Sequence, residues 1–559
     1  MRTVSSFDIF DTCLCRLCGE PRLLFDVLSL RVQKLMGGNA SEHMRQLFVA
    51  ARIASGGNSL EEIYGNVARS FPLPCTVEEM ARLELDTERD MLRPIAATLR
   101  LVDEARRQGH RIIFISDMYL PDDFLRGRLA EFGFYREGDG LYVSNTVGAF
   151  KYDGSLFRHV REREGLSYRH WRHYGDNPTS DCTMPRRLGI KAKRLDYGYL
   201  HYERQWMALP VVGYQWARIM AGVARAVRLQ SGADLDQRHF VADISAPFMV
   251  AWVAEILRDA TTKGIGRLYF LARDVHSQFL IARHMGGLFP GVDVRYALMS
   301  SYALYADPLS PDYMRSLGFA DDMAMAVVDS CTCGRTLQVI NQQVGKPEND
   351  GVKGYLIMHI PTKETPSIDN SDYIFSSSYL GQLTSSRINR VGGMRIFFEL
   401  LFSVNYHNTV VGYEYHGDRL RPVLAPDKRD EYSFTNRPSR DIKRNNDSLL
   451  MLFTDAFVST GLLGHSEEVL RQAAIPTLID FVDMPRREYC AYLNRFHFWG
   501  KPFVGSLWGG HNEGVWKRGN RAYSLPAWVT TWGYSVMRNA ALRRRINHIA
   551  GLLRLPRHK

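Results

Sequence analysis

Ser6-Phe-Asp8-Ile-Phe10-Asp11-Thr12 is the stretch on which the reading of this chain turns. It reads as a strand that ends in Asp, with a threonine four residues later. That pattern places a carboxylate at the carboxyl end of a parallel strand. Open parallel α/β sheets bind their ligands at that edge. Three further fragments follow in order: Phe114-Ile-Ser116-Asp-Met118, Phe150-Lys151-Tyr-Asp-Gly154 and Tyr174-Gly-Asp176-Asn-Pro-Thr-Ser-Asp181. Each fragment alone is a weak signal. Four of them at successive strand ends are a strong one.

Working outward, residues 17–100 read as helical, with runs such as Thr76-Val-Glu-Glu-Met-Ala-Arg-Leu-Glu-Leu-Asp86. From 101 to 196, helical patterns alternate with short apolar strands at Arg111–Ile115, Leu141–Val143 and His173–Gly175, which predicts a Rossmann-like parallel sheet with helices on both faces. Residues 1–200 are thus expected as one α/β domain and 201–235 as a helical linker. A second α/β domain is expected over 236–480, with strands at Arg267–Ala272 and Ala324–Asp329. Within it, the polar stretch from Pro426 to Asn446 reads as a long surface loop. A helical Trp- and Arg-rich segment, 481–559, closes the chain, and no internal repeat is found.

A length of 559 residues implies two or three domains. With 45% apolar and 23% charged residues the composition is that of a globular protein rather than a disordered one. The first residues hold no apolar signal core, and no uninterrupted apolar run reaches a membrane span; Ala246–Leu257 is broken by Glu255. A cytoplasmic location is therefore expected. Eight cysteines are too few for a disulfide framework. Cys13, Cys15 and Cys18 cluster, but in no zinc-binding spacing, and are expected to be small apolar fillers.

The net charge of +11 is concentrated at the end of the chain, where Glu513 is the last acid and ten Lys and Arg follow. A basic tail fits nucleic acid, an anionic membrane or glycolipid, or plain solvation. Peripheral association with an anionic membrane is the partner expected, and nucleic acid is not. Five of the nine tryptophans lie between Trp499 and Trp532. There they either pack on the second domain or offer faces to sugars or a membrane interface.

The four fragments resemble the haloacid dehalogenase (HAD) superfamily, over roughly residues 4–200. The resemblance implies a Mg²⁺-dependent phosphohydrolase. Asp8 would be the nucleophile that forms an aspartyl-phosphate. Ser116 and Lys151 would bind the phosphoryl group, with Lys151 also neutralising Asp8. Asp176, Asp181, Asp8 and the backbone carbonyl of Phe10 would hold Mg²⁺. The helical block 17–100 falls where this family inserts its cap. One position departs from the pattern: the second Asp that usually serves as general acid is Phe10 here. Asp11 or a cap residue is the expected substitute, and loss of that help costs on the order of 10²–10⁴ in rate.

The segment Ala326-Val-Val-Asp329-Ser-Cys-Thr332-Cys-Gly334-Arg335-Thr336 reads as a strand, a turn rich in small and hydroxyl side chains, then a helix from Leu337. Such a loop offers backbone N–H groups to an anion. It resembles the phosphoribosyl-pyrophosphate loop of type I phosphoribosyltransferases, and is equally the shape of an ordinary α/β connection. The resemblance implies that Asp329 binds ribose hydroxyls, with Val328 where a first acid is usual, and that Thr332, Gly334, Arg335 and Thr336 cradle the 5-phosphate. Arg273 and Asp274, at the end of an earlier strand, would take the pyrophosphate. Residues Ser300–Phe319 are a candidate mobile hood.

Together these resemblances are similar to bacterial proteins that install ribofuranose in surface polysaccharides. They imply phosphoribosyl transfer to a glycan acceptor followed by HAD-type removal of the 5-phosphate, from a phosphorylated sugar or lipid-linked glycan. Two alternatives stay open: a phosphosugar phosphatase with a noncatalytic glycan- or membrane-binding C-terminal part, and a noncatalytic scaffold.

Overall fold

The computed structural model describes residues 3–38, 41–345, 351–359, 407–426 and 437–483, with Tyr489, Tyr492, 497–498 and 501–502. Two compact units result. Unit 1 comprises Met1–Ala233 with Leu449–Ala473, and unit 2 Asp234–Ser448 with Ala474–Lys559. The Trp/Arg-rich segment lies almost wholly outside the described residues.

Unit 1 contains β1 (Val4–Phe7), β2 (Leu14–Arg16), β3 (Leu92–Pro94), β4 (Arg111–Ser116), β5 (Gly140–Val143), β6 (Trp171–Gly175) and β7 (Lys191–Arg194). Five of these form one sheet in the order β5-β4-β1-β6-β7, parallel throughout. The chain enters at the centre, winds out through β4 to β5, then crosses β1 to β6 and β7. The reversal of winding falls between β1 and β6, the place where open parallel sheets bind their ligands at the carboxyl ends of the strands. Val4, Ile113, Ile115 and Trp171 alternate onto one face of the sheet, where Phe157 and Val160 of the helix Ser155–Glu164 pack against them.

Between β1 and β4 lies the expected helical insertion: α1 (Leu23–Leu35), α2 (Glu42–Ala54), α3 (Leu60–Val67) and α4 (Val77–Met91). Ser41, Ser59 and Thr76 cap α2, α3 and α4 by accepting the backbone N–H three residues on, and Glu79 completes a capping box with Thr76. The antiparallel pair β2–β3, which the sequence reading missed, closes the root of this insertion. On α4, Glu84 and Glu88 sit one turn apart, both fully buried. Arg52 grips the first at 2.6–2.7 Å and Arg16 the second at 2.8–3.1 Å. Removing one member of such a pair strands the other, at about 3–5 kcal/mol. Cys13, Cys15 and Cys18 are buried free thiols, as expected of fillers.

Of the residues expected to link the domains, 201–233 instead belong to unit 1. The helix Gln215–Gln230 buries almost its whole surface, and Arg218 pairs with Glu20 at 2.7 Å. Its arginines Arg218, Arg225 and Arg228 are paired with Glu20, Asp11 and Glu203.

Unit 2 contains β8 (Arg267–Leu271), β9 (Asp293–Ala297), β10 (Met325–Thr332), β11 (Lys353–His359), and the antiparallel pair β12 (Val410–His416) and β13 (Arg419–Leu424). Its main sheet, β11-β10-β8-β9, is parallel, with its winding reversal between β8 and β10. The region Ser300–Phe319 forms two helices, Ser301–Ala306 and Ser310–Leu317, whose Ala303, Leu304, Tyr313 and Met314 join the core. This apolar stripe packs the segment onto the core.

A second expectation is also corrected. From 437 the polar stretch is not a loop but the start of the helix Arg437–Ser459, with Lys443 and Asn446 buried. Those side chains escape a simple apolar-periodicity reading because they are buried with polar partners: Asn446 with Gln237 at 2.8 Å and Tyr492 at 2.9 Å. Likewise, Leu235–Thr262 is one helical stretch of 28 residues, long and apolar enough to cross a membrane, and its apolar span is buried within the protein. The polar residues before Ala246 hid its length.

Candidate active site

Asp8 follows β1 directly, and its N–H donates to the Tyr174 carbonyl at 2.8 Å, which carries the β1–β6 ladder one residue further. Its carboxylate therefore stands over the winding reversal, 5% exposed. From the end of β6 come Asp176 and Asp181. Ligand atoms of Asp8, Asp176 and Asp181 lie within 4.8 Å of one another. Asn177 shapes the turn by accepting the N–H groups of Thr179 and Ser180 at 2.9 and 3.1 Å, which folds Asp181 back toward Gly175. A Cβ on Gly175 would sit 2.4 Å from the Asp181 carboxyl carbon. Only glycine permits that approach.

Lys151 completes the cluster: its ammonium donates to Asp8 at 2.5 Å and to Asp181 at 2.7 Å. Ser116 ends β4, buried, beside β1 in a register that pairs Phe7 with Phe114. The structure thus brings Asp8, Lys151, Asp176 and Asp181 together at one edge, with Ser116 on the adjoining strand.

The electrostatics follow from burial. Burial pushes the Asp8 carboxyl up to about 8 against the pull of Lys151, and Asp181 and Asp176 add to the rise. Asp176 is pushed up to about 6 by burial, by Asp11 and by Asp181. Burial also acts on Asp181, but Lys151 and His173 hold it well below the usual carboxylate range. Burial opposes the Lys151 ammonium, yet Asp8 and Asp181 outweigh it and keep the amine charged. Three crowded carboxylates with one ammonium leave excess negative charge in a dry place. A hard divalent cation with oxygen ligands, Mg²⁺ above all, suits that donor set.

Phe10 opens the turn after Asp8, and the Arg16 guanidinium lies 4.2 Å from its ring centroid while also bonding Glu88. An aromatic ring thus stands where the resemblance implied a second acid, beneath an arginine that also grips the helical insertion. Asp11 adopts a left-handed backbone, φ +53, and its carboxylate is held by Arg225 at 2.6 Å. Three contributors escaped the sequence reading. The Asp117 carboxylate accepts the Lys151 N–H at 2.8 and 3.0 Å, so it fixes the backbone that carries the ammonium. His173, fully buried on β6, contacts Asp181 at 3.2 Å. Arg225 comes from the presumed linker. Asp117 had a signal, since it follows Ser116 directly, whereas Arg225 had none in local sequence.

Unit 2 presents a second cluster at its own reversal. The β8–β10 register pairs Phe270 with Val328, so Arg273 and Asp274 share an edge with Thr332 and Gly334. The Ala272–Arg273 peptide is cis, and Gly334, at φ +85, caps the helix Arg335–Val344. Its N–H donates to Thr332 Oγ1 at 3.2 Å. The Arg335 guanidinium lies 5.0 Å from the Tyr305 ring centroid, Thr336 Oγ1 is 3.4 Å from Ser301 Oγ, and Asp329 accepts the Ser330 N–H at 2.8 Å. Beside them, and missed in sequence, buried Lys443 lies 3.2 Å from His276 Nδ1, and Tyr296 bonds His407 at 2.8 Å. Burial lowers the Lys443 amine, and burial with Lys443 and His407 pushes His276 down to about 3.

No family model matches the chain, and no curated protein does. Among solved structures it is similar to a HAD phosphatase from Thermococcus onnurineus, at 19% identity and TM-score 0.27, over 36% of this chain and 89% of that one. It is also similar to the putative HAD-hydrolase YfnB from Bacillus subtilis, solved with magnesium, at 13% identity and TM-score 0.27, over 36% and 90%. A third is a HAD family enzyme from Bacteroides thetaiotaomicron, a mutant solved with magnesium and inorganic phosphate, at 11% identity and TM-score 0.26, over 37% and 99%.

Proposed function

We propose that unit 1 is a Mg²⁺-dependent phosphohydrolase acting on a phosphorylated sugar. The observation that carries this reading is the convergence of Asp8, Lys151, Asp176 and Asp181 at the winding reversal of a parallel sheet. An Asp8 oxygen attacks phosphorus, the phosphorus–oxygen bond to the sugar breaks, and the departing alkoxide takes a proton. Water then cleaves the aspartyl-phosphate and releases phosphate. Lys151 keeps Asp8 from repelling the incoming dianion, and Ser116 receives a phosphoryl oxygen. When bound among the carboxylates, Mg²⁺ supplies the remaining charge neutralisation. With Phe10 unable to donate, the leaving group takes its proton from another residue, and Asp11, which Arg225 holds at 2.6 Å, is the candidate. Phosphate release from small phosphosugars, with and without Mg²⁺, tests the reading.

For unit 2 the finer reading is phosphoribosyl transfer to a glycan acceptor, whose product unit 1 then dephosphorylates, on a lipid-linked glycan at the inner face of an anionic membrane. Supporting it are the paired strand ends, the Gly334 helix cap and the basic groups Arg273 and Lys443 at one edge. The basic tail invoked for membrane association lies outside the described residues. Calorimetric titration with phosphoribosyl pyrophosphate separates this reading from a noncatalytic glycan-binding unit 2. Absence of Mg²⁺-dependent phosphate release would favour the scaffold alternative.

A further inference from the structure

Beneath the carboxylate cluster a chain of buried polar groups runs through the sheet. Trp171 Nε1 lies 2.7 Å from Ser6 Oγ, Ser6 Oγ lies 2.7 Å from His173 Nδ1, and His173 Nε2 lies 3.2 Å from Asp181 Oδ1. All four residues are fully buried. Ser6, Trp171 and His173 come from neighbouring strands, Ser6 on β1 pairing with His173 on β6, and Asp181 comes from the turn after β6.

Chemistry fixes the direction of this chain. An indole N–H can only donate, so Ser6 Oγ accepts from Trp171. The serine then has one hydrogen of its own. Its other acceptor, the Arg172 carbonyl, is at 3.5 Å, the outer limit of a hydrogen bond, whereas His173 Nδ1 is at 2.7 Å. The hydroxyl therefore donates to Nδ1, which must present a lone pair. At the other end a carboxylate accepts, so Nε2 must carry the hydrogen. Only the neutral Nε2–H imidazole satisfies both contacts.

We propose that Trp171, Ser6 and His173 are positioning residues that lock this tautomer and, through it, the orientation of Asp181. Asp181 is then held at three points: by His173 and Lys151 on Oδ1 and by the Asn177 N–H at 3.1 Å on Oδ2. Outer groups of this kind hold a ligating carboxylate ready for its cation, and their loss typically weakens metal binding by about 10–100-fold. The consequence for Mg²⁺ rests on the phosphohydrolase reading; the tautomer does not.

The test uses ¹⁵N spectra of the histidine rings in the full-length, metal-free protein, with His173 assigned by its loss in His173→Gln. The expected pattern is a bare Nδ1 and a protonated Nε2. Trp171→Phe, which frees Ser6 to accept from the ring, should mix in the other tautomer. Ser6→Ala should do so too and raise the Mg²⁺ dissociation constant about tenfold. A protonated Nδ1 in the wild type overturns the proposal, as does a Mg²⁺ affinity unchanged in both Ser6→Ala and His173→Gln. If tautomer and Mg²⁺ results hold but no phosphosugar is hydrolysed, the phosphohydrolase reading fails and the positioning chain stands.

Discussion

Arg225 holds Asp11 from 214 positions away: its guanidinium lies 2.6 Å from the Asp11 carboxylate, and it also donates to the Tyr197 carbonyl at 2.8 Å. Asp11 in turn raises Asp176. A residue outside the stretch that resembles a phosphohydrolase thus reaches the rim of its site. If this pair serves the leaving group, Asp11→Asn and Arg225→Gln should each lower kcat by roughly 10²-fold while Mg²⁺ binding stays nearly intact. The double variant should be scarcely worse than either single one, because members of one network do not add. Additive losses would assign the two residues separate tasks, and no loss in Asp11→Asn would move the acid elsewhere.

Asp117 anchors the Lys151 backbone through both its carboxylate oxygens. Asp117→Ala should lower kcat about tenfold or more, since a small displacement of a catalytic group is costly. Asp117→Asn keeps an acceptor and should lose less. Steady-state phosphate release with the folded variants checks the order, and equal rates for the two would contradict the anchoring role.

How much of this was legible varies with the range of the interaction. Asp8, Ser116, Lys151, Asp176 and Asp181 were readable because each lies in one of four short fragments whose order along the chain is a local sequence pattern. The helix caps of the insertion were local too. Arg225, His173 and the helix Arg437–Ser459 were not. Burial of charged and polar side chains depends on partners far away in sequence, so Lys443 and Asn446 looked like loop residues, and nothing local marked Arg225. The membership of 449–473 in unit 1 is likewise a long-range fact. Phe10 was legible as a departure, but its place under Arg16 was not.

In unit 2, His276 is pushed down to about 3, so over roughly pH 3–6.5 the unfolded chain binds a proton that the folded chain does not. Stability should therefore fall as pH drops through that window. Between pH 7 and 5 this one group accounts for about 1–2 kcal/mol, allowing for its residual exposure. Denaturant unfolding at both pH values should show a smaller acid loss in His276→Gln. An identical loss in the variant would mean that His276 is not the responsible group.

Gly334 caps its helix in a left-handed conformation. Gly334→Val should abolish phosphoribosyl-pyrophosphate binding, because a branched side chain is strained there and blocks backbone approach to an anion. Asp329→Asn should weaken binding about tenfold or more, by loss of a charge-assisted contact of about 1.5–3 kcal/mol. Phosphatase activity on a small phosphosugar should survive both changes. Calorimetry that detects no binding to the wild type, with Mg²⁺ and acceptor present, would remove the transfer step.

The central claim is that the Asp8 carboxylate attacks phosphorus. Its most direct test compares Mg²⁺-dependent phosphate release from a phosphosugar by the wild-type chain and by Asp8→Asn. The account predicts release by the wild type and none above background by the variant. Equal rates in the two proteins would contradict it.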